Sequence, residues 1–163
     1  MHDAGMEKFG IVALGGTFDL IHKGHVELLS RAFAISSKAI IGLTSDEFAK
    51  KKGKAPVNDY GKRHETLEMV IKKKFPGANY EISKLENDFG PAVLERGVEA
   101  LVVSAETAFQ GDNLNRLRRT RNLPDVEVVV VPMVLAGDGK RISTTRIRNS
   151  EIDTEGNILA VDK

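Results

Sequence analysis

Four short apolar runs limit what this chain can become: FGIVAL (Phe9–Leu14), KAIIGL (Lys38–Leu43), ALVVS (Ala100–Ser104) and VEVVVVPMV (Val126–Val134). A strand with one face in water alternates apolar and polar residues. A near-continuous run suits a strand covered on both faces. Helical patterns fall between the runs. One spans about Lys23 to Ser36, with Val26, Leu29 and Phe33 on one face. Another, Tyr60–Phe75, carries Leu67, Val70, Ile71 and Phe75 and is stopped by Pro76-Gly77. A third, Glu106–Asn122, is mostly polar. Tyr80–Lys84 reads as a further strand, Gly90–Arg96 as a short helix, and Thr44–Lys54 as a polar, Lys-rich connection with room for one helical turn. Val126–Val134 reads as a strand covered on both faces, followed by a Gly-rich turn at Ala136–Gly139. Strands alternating with helices predict βαβ units, right-handed crossovers and a parallel sheet with helices on both faces.

The expected class is therefore α/β, a single Rossmann-like, doubly wound parallel sheet. A chain of 163 residues suits one domain with a substantial core. We place it at 9–150, with a flexible extension over 1–8 and a tail over 151–163. The formal net charge is +1, from 24 basic and 23 acidic side chains, so the global charge favours neither nucleic acid nor a membrane surface. Cysteine is absent, which removes disulfides, thiolate metal sites and a thiol nucleophile. No apolar run is long enough to cross a bilayer, and a cytoplasmic location is expected.

In a parallel sheet, ligands bind beyond the carboxyl ends of the strands. GGTFDLIHKGH, Gly15 to His25, falls at such an end. Gly15 and Gly16 let the backbone turn and approach a ligand closely. The helix that follows offers free N–H groups and a favourable dipole to phosphate. His22 and His25, three apart, share one face of its first turn, and Gly24 removes bulk between them. A metal site at the pair lacks a third nearby ligand. No metal ligands are assigned.

GTFDLIHKGH resembles the G-T-F-D…H-x-G-H signature of the nucleotidyltransferase superfamily. ISTTRIR, Ile142 to Arg148, resembles that superfamily's second signature, an I-S-[ST]-[ST]-x-[IV]-R loop. IGLTSDEFAKKK and LVVSAETAFQGDNLNRLR are similar to the archaeal phosphopantetheine adenylyltransferases and to the matching domain of the eukaryotic bifunctional coenzyme A synthase. The likeness runs from about Phe9 to Asn149. It implies the nucleotidyltransferase fold, and adenylyl transfer from ATP to 4′-phosphopantetheine with Mg²⁺ accompanying the ATP.

The acceptor phosphate is already a nucleophile, so the protein's task is positioning and charge stabilisation. The resemblance then assigns roles. His22, His25 and Lys54 act on the reacting phosphates. Thr17, Lys52 and Arg63 bind the acceptor. ATP lies against Gly15, Gly16, Thr17, Phe18, His22, Gly24, His25, Ser104, Glu106, Ile142, Ser143, Thr144, Thr145 and Arg148. Lys23 occupies the variable position of its motif and ranks below these. Asp19 reads as a turn or cap residue holding the loop. Alanine at either histidine is expected to leave folding intact. Of Lys50, Lys51, Lys52 and Lys54, the residue contacting phosphate is Lys52 or Lys54, with Lys54 favoured for its closeness to Pro56. Lys62 stands where relatives carry an acid beside the Arg63 position. Bacterial relatives carry an Arg-Gly-x-Arg stretch after strand four, where this chain has SAETAFQG. Arg116, Arg118, Arg119 and Arg121 are candidates to replace that charge, against the reading of a solvated face.

Two rival readings remain at this stage. A sister enzyme, a glycerol-3-phosphate cytidylyltransferase or a flavin adenine dinucleotide synthetase, shares the first signature. Its second usually reads R-T-x-G-I-S-T, whereas Asp138-Gly139-Lys140-Arg141 precedes the Ile-Ser-Thr here. A non-catalytic nucleotide-binding regulator would be expected to lack a signature histidine or the hydroxyl loop, and both are present.

Overall fold

The computed structural model describes residues 9–90, 95, 97–132, 134–135, 137–138, 147 and 155–156. Five strands, β1 (Phe9–Gly16), β2 (Ser36–Thr44), β3 (Tyr80–Leu85), β4 (Val98–Ser104) and β5 (Glu127–Val131), form one sheet in the order β3-β2-β1-β4-β5. Every pairing is parallel. Among the described residues four helices connect them: α1 (Lys23–Ala34), α2 (Asp46–Lys51), α3 (Tyr60–Lys74) and α4 (Phe109–Thr120). The strand order reverses at β1, which is the topological switch point where such sheets bind ligands.

The sheet is covered on both faces. Val12, Leu14, Ile41, Leu43, Ala100 and Val102 point to a core shared with Leu29 of α1 and Leu67 and Ile71 of α3. The alternate residues Ala13, Ile40, Leu101 and Val103 pack with Leu114 of α4. Two-faced burial explains why the central runs carry no polar alternation, since a polar side chain on either face would lose its water.

Helix ends follow the local chemistry. Asp59 caps α3 by accepting from Lys62 N at 2.9 Å, and Ser45 caps α2 by accepting from Phe48 N at 3.0 Å. That cap starts α2, whose six residues extend the single helical turn allowed for within the Lys-rich connection.

Two expectations change. The polar third helix divides into a single 3₁₀ turn at Ala105–Thr107 and α4 proper. Val126–Val134 is covered on both faces only in part: Val129 and Val131 pack on one core and Val128 against the other. β5 lies last in the sheet order, Val130 is 47% exposed, and only Val131 of the strand is buried. A run of valines satisfies an edge position as readily as a central one, so the run alone did not fix the strand's place. The helix expected over Gly90–Arg96 lies outside the described residues apart from Gly90 and Glu95.

Candidate active site

The loop from β1 to α1 carries two of the three left-handed non-glycine residues among the described residues. Phe18 and Leu20 hold left-handed φ values of 49° and 38°, with Asp19 between them. Non-glycine residues adopt this region at a cost, so something must hold them. Phe18 is anchored in the core at 2% exposure. Asp19 is buried, and its carboxylate accepts from Val57 N at 2.7 Å and from Asn58 N and Asn58 Nδ2 at 3.2 Å. Asp19 therefore does hold the loop, but through partners 38 and 39 positions away rather than within a local turn.

His22 and His25 form a reciprocal capping box at the start of α1. Gly24 N donates to His22 Nδ1, and His22 N donates to His25 Nδ1, each at 3.1 Å. Both Nδ1 atoms are thus acceptors, which in the neutral rings places the proton on Nε2. The rings stack with centroids 4.0 Å apart. Burial, and next the neighbouring His22, lower the His25 pKa to about 3. At neutral pH His25 is an uncharged N–H donor of fixed orientation. The capping role gives these side chains a share in stability beside any role toward a ligand. Losing a side-chain cap costs about 0.5–2 kcal/mol.

The lowered His25 pKa makes the stability of the fold depend on pH. The unfolded chain takes up the histidine proton near pH 6.5, and the folded chain only near 3. Below about pH 6.5 the unfolded state therefore binds more protons, and stability declines as pH falls. Tm measured from pH 8 to 4.5 is expected to drop. His25→Asn, which can still cap but cannot titrate, is expected to flatten part of that slope. Coincident slopes for the two proteins would contradict a neutral His25.

An open cleft lies beyond the strand ends. Its rim carries Gly15, Gly16 and Thr17 from β1 and its following loop, with Lys52 and Lys54 opposite. Its interior is largely apolar, with Ile40, Leu101, Val103 and Phe89 among its walls. Gly42 is required there, because a Cβ would lie 2.7 Å from the Leu85 side chain that roofs it. The histidines do not line this cleft. Gly15 to Thr17 join them to it.

The lysines separate into pairs. Lys50 and Lys51 end α2, exposed and away from the cleft lining, whereas Lys52 and Lys54 line it. Lys52 Nζ is 3.5 Å from Asp88 Oδ1 and 5.0 Å from the Phe48 ring centroid. The Lys54 pKa lies below lysine's usual value, through partial burial first and the Lys52 charge second, with Glu106 opposing.

Other expected site residues are placed as follows. Ser104 and Thr107 close the turn after β4, their hydroxyls 3.1 Å apart, and Glu106 is exposed beside them. Arg63 departs from its expected place: its side chain is 0% exposed and hydrogen-bonds protein carbonyls and Asp46. A guanidinium enclosed by such partners does not present itself to an acceptor in the cleft. Arg118 is likewise buried, donating to Pro124 O, Glu95 O and Val98 O near the amino end of β4, the far end of the sheet from the cleft. Arg119 pairs with Asp125. Neither supplies charge to the cleft. Ile142, Ser143, Thr144, Thr145, Arg146 and Arg148 lie outside the described residues. Thr44 and Asp88 at the cleft were not singled out from sequence. Their position just at or beyond the carboxyl ends of β2 and β3 was the available signal.

The family described as cytidylyltransferase-like matches residues 13–150, which makes this chain one of the cytidylyltransferase-like nucleotidyltransferases. The phosphopantetheine adenylyltransferase of Methanothermobacter thermautotrophicus is 41% identical over 152 residues, covering 93% of this chain and 91% of that one. That of Methanosarcina barkeri is 42% identical over 150 residues, covering 90% and 91%. The chain belongs to the phosphopantetheine adenylyltransferase family. A crystal structure of a protein of unknown function from Archaeoglobus fulgidus superposes with a TM-score of 0.68 at 31% identity, covering 76% of this chain and 89% of that one.

Proposed function

We propose that this chain transfers the adenylyl group of ATP to 4′-phosphopantetheine, giving dephospho-coenzyme A and pyrophosphate in coenzyme A biosynthesis. The observation that carries the reading is the junction at Gly15–Thr17. It joins an open, largely apolar cleft to two histidines fixed as Nε2–H donors. An acceptor with a phosphate at one end and a long, weakly polar arm suits that combination. The arm occupies the cleft and the phosphate meets the strand end.

In the reaction an acceptor phosphate oxygen forms a bond to the α-phosphorus of ATP. The bond from that phosphorus to the bridging oxygen breaks, and its electron pair leaves with pyrophosphate. No proton has to be removed from the nucleophile. Thr17 and the backbone after Gly15 and Gly16 orient the acceptor phosphate, aided by Lys52. His22 and His25 donate from Nε2 to phosphoryl oxygens on which charge develops. Lys54 stands between the two substrates. Phe18, Gly24, Ser104, Glu106 and the loop Ile142, Ser143, Thr144, Thr145 and Arg148 complete the ATP contacts in this reading. Among the described residues no group of three His, Asp or Glu could hold a metal. Mg²⁺ is usually held by one or two protein groups together with substrate phosphates, and we propose that the ion arrives on ATP, bound mostly by phosphate oxygens and water. Among those same residues no helix is long and apolar enough to cross a membrane. We place the reaction in the cytoplasm, where ATP is available.

A panel pairing ATP or CTP with 4′-phosphopantetheine, glycerol 3-phosphate, nicotinamide mononucleotide or flavin mononucleotide tests the assignment. Pyrophosphate release is expected for ATP with 4′-phosphopantetheine. CTP with glycerol 3-phosphate as the productive pair would overturn the assignment and leave the fold standing.

A further inference from the structure

Arg63 grips three stretches of backbone at once. Its Nη1 donates to Thr17 O and to Thr44 O, both at 2.8 Å, its Nε to Asn58 O at 3.0 Å, and its Nη2 to Asp46 Oδ1 at 2.7 Å. The side chain is 0% exposed. Thr44 ends β2 and Asp46 opens α2, so these two contacts hold the entry to the lysine-bearing segment. Asn58 lies four residues after Lys54, so the third holds its exit. Thr17 belongs to the first signature, so the fourth ties both ends of that segment to the loop bearing the histidines. Asp19 reinforces the same seam, because its carboxylate accepts from Val57 N and Asn58 N.

We propose that Arg63 is a positioning residue for adenylyl transfer, fixing the placement of Lys54 relative to Thr17 and the histidine pair. The inference rests on the reading of Lys54 as the reacting-phosphate lysine. A planar guanidinium is required because its N–H bonds diverge in one rigid plane. A lysine ammonium has three donors on a flexible stem and cannot span the same acceptors. Three of the four acceptors are main-chain carbonyls, so the contacts fix backbone and not side-chain chemistry.

A double-mutant cycle between positions 63 and 54 tests this, run with whichever nucleotide and acceptor prove productive for the wild-type protein. Arg63→Lys is expected to lower kcat about fivefold or more, with both KM values changed less than kcat. Asp46→Ala removes one contact from the half-exposed end and leaves the three carbonyls. It is expected to lower kcat by a smaller factor, and it keeps the test available if Arg63→Lys does not fold. All rates are read well below each variant's Tm. If Arg63 acts by placing Lys54, both effects nearly vanish in the Lys54→Ala background. Factors that multiply unchanged into that background, or an unaltered kcat with a lowered Tm, would overturn the proposal and leave Arg63 a purely structural brace. A silent Lys54→Ala would instead show that the underlying reading of Lys54 is wrong, whatever Arg63 does.

Discussion

Replacing His25 by alanine is expected to lower kcat by about a hundredfold or more, the size found when a donor to a developing oxyanion is lost. The ring is held for donation: Nδ1 accepts from His22 N at 3.1 Å, and the lowered pKa keeps the ring neutral with its proton on Nε2. Alanine also removes half of a capping box, so Tm is expected to fall as well, by the equivalent of about 0.5–2 kcal/mol. The two losses can be separated chemically. Asparagine places an acceptor near the Nδ1 position, so His25→Asn should retain most of the cap and lose the donor. Glutamine places an amide N–H near the Nε2 position, so His25→Gln should lose the cap and recover part of kcat. Steady-state kinetics and thermal melts on the three variants check this. An active asparagine variant beside an inactive glutamine variant would reduce His25 to a cap. An effect confined to KM would mean binding without transition-state stabilisation. His22→Ala is expected to act in the same direction.

The strands were legible because burial on both faces leaves a strong mark. Val12 to Leu14 and Ile40 to Leu43 contain no side chain that needs water. The first signature was legible because few arrangements other than a phosphate-binding strand end need paired glycines followed by two histidines in one helical turn. What sequence did not reveal depends on distance. Asp19 was read correctly as holding its loop, but its partners are 38 and 39 positions away, and no local pattern names them. Arg63 was read as a substrate contact through the resemblance of Lys62-Arg63 to an acid-Arg pair of relatives. Its burial follows from where β1, β2 and α3 meet, a tertiary fact. The cover of β5 was overestimated for a related reason: apolar composition reports that a strand can be buried, and its last place in the sheet order leaves Val130 exposed. The helix in the Lys-rich connection was legible only as a single turn because its apolar side is short, with Ala49 the buried residue.

Among the clustered lysines, Lys54→Ala is expected to lower kcat/KM at least about tenfold, or 1.4 kcal/mol, while Lys50→Ala and Lys51→Ala are nearly silent. Sequence left Lys52 and Lys54 as alternatives, and both line the cleft. They differ in what already occupies them. Lys52 has Asp88 at 3.5 Å and the Phe48 ring beneath its ammonium. Lys54 is partly desolvated beside a like charge, and its pKa is lowered accordingly. A charge in that condition is destabilised in the free protein, and an arriving polyanion relieves it. Contact with substrate phosphate therefore improves the Lys54 environment more than that of Lys52, whose ion pair must first loosen. Binding should also raise the Lys54 pKa, because the anion favours the ammonium form. Lys52→Ala is expected to weaken acceptor binding modestly, appearing in KM. Kinetics on the four alanine variants at low and high salt distinguish the possibilities. Four equally mild effects that all fade with salt would show that the cluster only attracts anions at long range. A single large effect at Lys54 that survives salt would identify a short, partly buried phosphate contact.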